Sequence, residues 1–246
     1  MRPHFHPLPA LTIACAVLFA SLVSLGVWQL DRLQWKLGLI AEVNRNLGAA
    51  PVSLDAALGM GAGAQYRRVA LDGRFENAKE AYVFTTGPDG APVYHVLTPF
   101  VADDGRVLIV DRGAVPIDHL DPKTRTAGLV QGERHVVGVW RVPDAPGAFT
   151  PAPDLTHRIW YSRDIAGIAK ADGLVFAAPV VVEADATPNP GGLPVGGQTR
   201  VEFRNEHLQY AITWFGLAAA LLLIYFVYHR SRGRLGFRRS GDHPES

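Results

Sequence analysis

A single cysteine in 246 residues, Cys15, leaves no partner for a disulfide within the chain and no cysteine-based metal or redox centre. Cys15 also lacks the leucine that stands three residues before a lipoprotein cysteine, so no lipid anchor is expected there. The chain carries no Walker loop, no Gly-x-Ser-x-Gly elbow and no internal repeat. No nucleophile, base and oxyanion donor assemble in a recognisable pattern, and Asp103 and Asp104 read as turn chemistry rather than paired catalytic acids. The expectation is a protein that is not an enzyme. A strong charge of either sign is missing too: the balance is +1, which points to no nucleic-acid partner.

What is present begins with two charge-free apolar runs, 8–30 (23 residues) and 210–228 (19 residues). At about 1.5 Å per helical residue they approach or exceed a hydrocarbon layer of ~30 Å. A backbone in lipid must satisfy its own hydrogen bonds, so both are expected as helices. The first is longer than the apolar region of a signal peptide, and Trp28-Gln29-Leu30-Asp31-Arg32 offers no cleavage site, so it reads as an anchor. Arg230, Arg232, Arg234, Arg238 and Arg239 follow the second run and keep that end cytoplasmic, and two spans return the N-terminus to the same side. Residues 31–209 hold 18 Lys+Arg against 21 Asp+Glu, net −3, while the tail after 228 has five Arg against Asp242 and Glu245, net +3. The basic surplus is therefore a topology signal. The expected organisation is a short cytoplasmic segment 1–7, transmembrane helix 8–30, an extracytoplasmic domain 31–209, transmembrane helix 210–228 and a basic cytoplasmic tail 229–246.

The first helix is expected to continue to about residue 47, because Trp28, Gln29, Arg32, Trp35, Lys36, Leu39, Ile40 and Val43 recur at steps of three and four. Trp28 and Trp35 read as headgroup anchors, with Arg32 and Lys36 reaching lipid phosphate. Beyond 59–64 the pattern becomes strand-like: 66–75, 80–86, 93–101, 106–113, 135–141, 158–161 and 175–183, with turns at 87–90 and 103–105. One short helix is predicted at 164–171 with Ser162 as its cap. The fold class is thus a membrane protein in which two transmembrane helices flank a β-rich domain, a mostly antiparallel sheet or small open barrel.

His207 is the main candidate site residue. A helix beginning near Asn205, with that residue as its cap, puts His207 on one face with Tyr210, Ala211 and Trp214. A neutral imidazole at a membrane border can bind haem iron, with flat aromatic rings beside the macrocycle. It can equally be a boundary histidine hydrogen-bonded to lipid or another helix, and spacing leaves both open. His95, His119, His135 and His157 are scattered without ligand spacing, and His229 and His243 are expected in water. Arg112, in Asp111-Arg112-Gly113, reads either as a loop residue offered to a haem propionate or partner protein, or as a strand end in which Asp111 pairs with a base and Gly113 turns the chain.

Three separated blocks resemble the Surfeit locus protein 1 family, of the bacterial type: 26–36 with Leu39-Ile40, 111–116 followed by 138–141, and 205–211 with Thr213-Trp214-Phe215. Ala114 replaces the usual aromatic after Arg-Gly, and Glu206 stands where Asn is common. The resemblance implies an assembly factor for aa3-type cytochrome c oxidase that binds haem a transiently and assists its insertion into the catalytic subunit. It implies His207 as axial iron ligand, Tyr210 and Trp214 as pocket walls, and Trp28, Gln29, Arg32 and Arg112 as further contacts. Expected partners are the oxidase catalytic subunit, haem a synthase as haem source, and membrane lipid, in a bacterial inner membrane with the main domain periplasmic. The alternative is a tethered scaffold that stabilises an oxidase assembly intermediate without haem.

Overall fold

The structure is a computed structural model and describes residues 2–87, 90–143, 145–199, 201 and 203–238. Pro88 and Asp89 of the expected turn, and Arg239, Asp242, His243 and Glu245 of the tail, lie outside the described residues. In chain order the elements are β1 (Arg2–Phe5), α1 (Pro9–Gly48), β2 (Val52–Ser53), α2 (Leu54–Met60), β3 (Arg68–Phe75), β4 (Ala81–Thr86), β5 (Pro92–Ala102), β6 (Val107–Pro116), β7 (Arg134–Arg141), β8 (Ile159–Trp160), α3 (Ile165–Asp172), β9 (Val181–Ala184), α4 (His207–Ser231) and β10 (Leu235–Arg238). They form two compact units, one of residues 1–41 with 202–246 and one of residues 42–201.

The first unit is a pair of long helices. Both α1 and α4 are apolar and long enough to span a membrane, and only 6% and 11% of their apolar windows are buried. Apolar helices this bare require a nonpolar solvent, which a bilayer supplies. Pro9 opens α1 at the position where its missing N–H costs nothing. The helix is 40 residues, about 60 Å, roughly twice a hydrocarbon layer. The less exposed residues of α1, among them Thr12, Cys15, Phe19, Leu22, Gly26, Gln29 and Leu33, step alternately by three and four. His207, Ala211, Trp214, Ala218, Leu221 and Tyr225 do the same on α4. That 3.5-residue period marks the sides that the two helices turn toward each other, where Gln29 meets His207 and Thr12 meets Tyr225. Gly26 leaves room for the Phe215 ring of α4, since a Cβ there would lie 2.7 Å from it. β1 and β10 form a two-stranded antiparallel ribbon at the chain ends.

The second unit is a small barrel. Strands run in the order β3-β7-β9-β6-β5, and β3 also pairs with β5, at Gly73 to Phe75 against Ala102 to Phe100, which closes the ring. β2, β4 and β8 extend the sheet beyond it. Pairing is antiparallel except β2–β3, β4–β8 and β6–β9. Alternation along the strands sends Val69, Leu71, Phe100, Leu108, Val110, Trp140 and Val182 into one core. A second core, with Leu97, Ile109, Trp160 and Val181, is covered by Ile165 and Ile168 of α3.

The strand at 175–183 shrinks to β9, which begins only after Pro179, and that at 158–161 to the two residues of β8. Helix α3 is capped by Asp164, whose carboxylate accepts from the Gly167 N–H at 2.9 Å, and not by Ser162. The longer reach of Asp from the residue adjoining the helix satisfies that donor directly.

Candidate functional site

His207 is the first residue of α4, and its Nδ1 lies 2.7 Å from Oε1 of the buried Gln29 on α1. With a carbonyl oxygen as partner, Nδ1 donates, and the imidazole presents its remaining lone pair at Nε2. A hydrogen bond that fixes the tautomer and ring plane in this way is how protein sites orient a metal-binding histidine. Below it on the seam lie Ala211 and Trp214. The Trp214 Nε1 donor and the Asn205 Oδ1 acceptor are both buried without a partner among the described residues. Asn205 does not cap the helix as expected. Glu206 holds the cap position without a side-chain cap bond and instead accepts from Arg204 at 2.7 Å.

The other expected contacts lie elsewhere on the helix pair. Tyr210 is half exposed on the outer surface of α4. Trp28, Arg32 and Trp35 form an outward stripe on α1, with the Arg32 guanidinium 5.7 and 5.8 Å from the two rings. The structure therefore brings together His207, Gln29 and Trp214, and leaves Tyr210, Trp28 and Arg32 facing out. The imidazole with its Nε2 lone pair and the unpartnered indole N–H of Trp214 suit the iron and an oxygen-bearing substituent of a haem, whereas the Asn205 Oδ1 acceptor suits only a donor.

At the far end of the same seam His229 is fully buried, correcting the expectation that it is solvated. Its Nδ1 bonds the Tyr225 carbonyl at 2.9 Å and its Nε2 faces the Leu8 N–H at 3.4 Å, with the Tyr225 ring 4.2 Å away. Both nitrogens are engaged, and Thr12 meets the Tyr225 hydroxyl at 2.8 Å. A basic neighbourhood in sequence did not mean an exposed side chain.

In the barrel unit Arg112 is neither in a loop nor at a strand end. β6 runs on through it, and a bulge sets Arg112 and Gly113 opposite Val96 alone. Ordinary alternation puts Arg112 in the inward register of Leu108 and Val110, and the bulge begins there. Gly113 makes no turn: at φ 114° it admits the Val195 carbonyl, which accepts from the Ala114 N–H at 2.9 Å. The Arg112 guanidinium is over the Phe75 ring at 4.5 Å and donates to Asn77 at 3.1 Å, to Glu80 at 3.4 Å and to the Gly128 carbonyl. Arg125 grips the same Glu80 with two bonds, 3.2 and 2.6 Å. Burial pulls the Arg112 pKa down to about 10, against the attraction of Glu80.

On the outer face of the barrel, Asp111 does pair with bases. Its carboxylate accepts from His95 Nδ1 at 2.8 Å, from Arg163 at 2.9 Å and from the Gly113 N–H at 3.0 Å. Burial alone would push this carboxyl up, but His95 and Arg163 hold it below the usual carboxylate range. His119, His135 and His157 likewise each sit against an aspartate, Asp118, Asp72 and Asp154. The sequence hinted at His95 only through a polar residue in an apolar strand, Tyr94-His95-Val96.

The SURF1 family model matches residues 16–219, a stretch that includes Gln29, the whole barrel and His207. The chain belongs to the SURF1 family. Among its relatives, Surfeit locus protein 1 of Takifugu rubripes is 36% identical over 223 residues, covering 84% of this chain and 92% of that protein. The Mus musculus protein is 37% identical over 227 residues, covering 84% and 72%. The Homo sapiens protein is 35% identical over 221 residues, covering 82% and 72%. Residues 16–219 take in most of α1 and the first part of α4 as well as the barrel.

Proposed function

We propose that this SURF1 protein binds haem a through His207 and assists its insertion into the catalytic subunit of an aa3-type oxidase. Membership of the family makes the chain a cytochrome c oxidase assembly factor. One observation supports the haem reading most: His207 Nδ1 is tied to Gln29 Oε1 at 2.7 Å, which leaves Nε2 as an oriented lone pair. When bound, the haem supplies the iron that this lone pair meets. The chain itself holds the imidazole plane, walls one side with Trp214, and offers the indole N–H to an oxygen acceptor on the ligand. A ligand with a long isoprenoid tail gains from a helix pair whose outer surface is lipid-facing. The setting is the inner membrane of a bacterium, with both termini cytoplasmic and the barrel periplasmic, and haem a synthase is the proposed source of the haem.

The test is the visible spectrum of protein produced in haem a-making cells. Wild type shows a Soret band, His207→Ala loses it, and Gln29→Leu keeps it with roughly 10–100-fold weaker haem affinity, the usual effect of removing a ligand's orienting partner. Unchanged haem content in His207→Ala would remove this role, and an oxidase of normal haem content whose catalytic subunit still co-purifies with that variant would leave the haem-free scaffold as the function.

A further inference from the structure

The barrel carries a buried charge that the fold does not balance. Arg112 and Arg125, each with 1% of its side chain exposed, share one carboxylate, Glu80, also 1% exposed. The third polar group of the cluster, the Tyr82 hydroxyl, donates to Glu80 at 3.2 Å, and burial raises its pKa, so it stays neutral. The cluster is therefore +1. An uncompensated charge inside a protein is expensive unless something pairs with it. In addition the Arg112 Nε donor is buried with no partner among the described residues.

Beside this charge is a cavity of about 370 Å³, lined by Arg112, Arg134, Asn189 and the apolar side chains of Phe75, Val136 and Pro190 among others. Phe75, Arg112 and Val136 share the inward register of their strands, so the cavity is the mouth of the barrel. Barrel mouths are a usual place for small-molecule sites, and this volume falls in their range. Arg134 stands at the rim and makes no ion pair among the described residues. The acids at the cavity do not cancel these cations: Asp185, which lines it, is matched by Arg68 at 3.5 Å, and Asp72 is exposed to water. Asp103 and Glu133 are exposed, where water screens them.

We propose that the barrel mouth binds a small oxyanion, a carboxylate carried on an apolar body, with Arg112 and Arg134 supplying the charge and Phe75, Val136 and Pro190 the walls. The site lies wholly within residues 75–190 and does not depend on His207.

The test is ligand-observed NMR titration of the full chain in nanodiscs with benzoate, its neutral isostere benzamide, and inorganic phosphate. Benzoate is expected to bind at least tenfold more tightly than benzamide. Arg134→Glu should weaken benzoate at least threefold and Arg112→Gln at least tenfold, whereas His207→Ala should leave it unchanged. Phosphate binding with the same sensitivity to both variants also supports the site, and identifies the charged head as what is read. Should Arg112→Gln fail to fold, the benzoate–benzamide comparison and Arg134→Glu still decide. Equal binding of benzoate and benzamide, or full affinity in Arg134→Glu, overturns the proposal.

Discussion

At the residue scale, the polar groups that matter are paired across long stretches of chain. His207 and Trp214 could be singled out from their local context, and Gln29 from its block, but the bond between Gln29 and His207 joins positions 178 residues apart. Glu80 with Arg125, 45 residues apart, and Asp111 with Arg163, 52 apart, were not legible for the same reason: charge pairing inside a core leaves no periodicity. Arg112 was noticed for the wrong reason, because a bulge cannot be told from a turn when both are written Arg-Gly. Asp111 has a pH consequence. Its carboxyl is held below the ordinary aspartate value, ~3.9. The stability it contributes is therefore complete above that value and fades as pH falls through the lower folded value. Asp111→Asn is expected to destabilise the protein by about 1–3 kcal/mol at neutral pH, since His95 and Arg163 lose a buried acceptor. The same variant should flatten the stability curve below pH 4. Denaturant unfolding of both proteins between pH 7 and pH 2.5 checks the two claims, and a parallel loss of stability in acid would contradict them.

At the element scale, alternation predicted the strands well where both faces were distinct, as in β3, β6 and β7, and overran where proline or irregular backbone intervened, as before β9. Helix α1 was anticipated through its length, but the seam itself was masked in the sequence. Inside a membrane both faces of a helix are apolar, so hydrophobicity does not mark the packed stripe. Its small members, Gly26, Ala211 and Ala218, stand among larger apolar ones such as Leu22 and Leu221. Gly26→Leu is expected to force the Phe215 ring aside at a cost of about 1–3 kcal/mol and to lower bound haem, because Gln29 lies one turn further along. Adding Phe215→Ala should restore haem content. The ratio of Soret to protein absorbance in the two variants measures this, and an unaltered ratio in Gly26→Leu would show that the seam tolerates separation.

At the scale of the whole molecule, the arrangement of anchors around a β-rich domain could be read from two apolar runs and the strand pattern between them, whereas the closure of the barrel could not. Closure rests on three residue pairs between β3 and β5, a contact between strands that are not neighbours in the sheet order. The barrel has its own core, with Leu71, Phe100, Leu108 and Val182 almost fully enclosed. Residues 42–201 expressed alone are accordingly expected to be soluble, to give a β-type circular dichroism spectrum with cooperative unfolding, and to bind no haem. A fragment that aggregates or melts without cooperativity would place part of its stability in the helices.

The distance along the chain between Gln29 and His207 also orders events during synthesis. The first anchor enters the bilayer carrying an amide that has nothing to orient. The imidazole emerges from the ribosome only after every strand of the barrel has been made. On the haem role proposed above, a polypeptide that stops short of His207 is thus unable to capture cargo, and the protein becomes competent for loading only once its last helix is made.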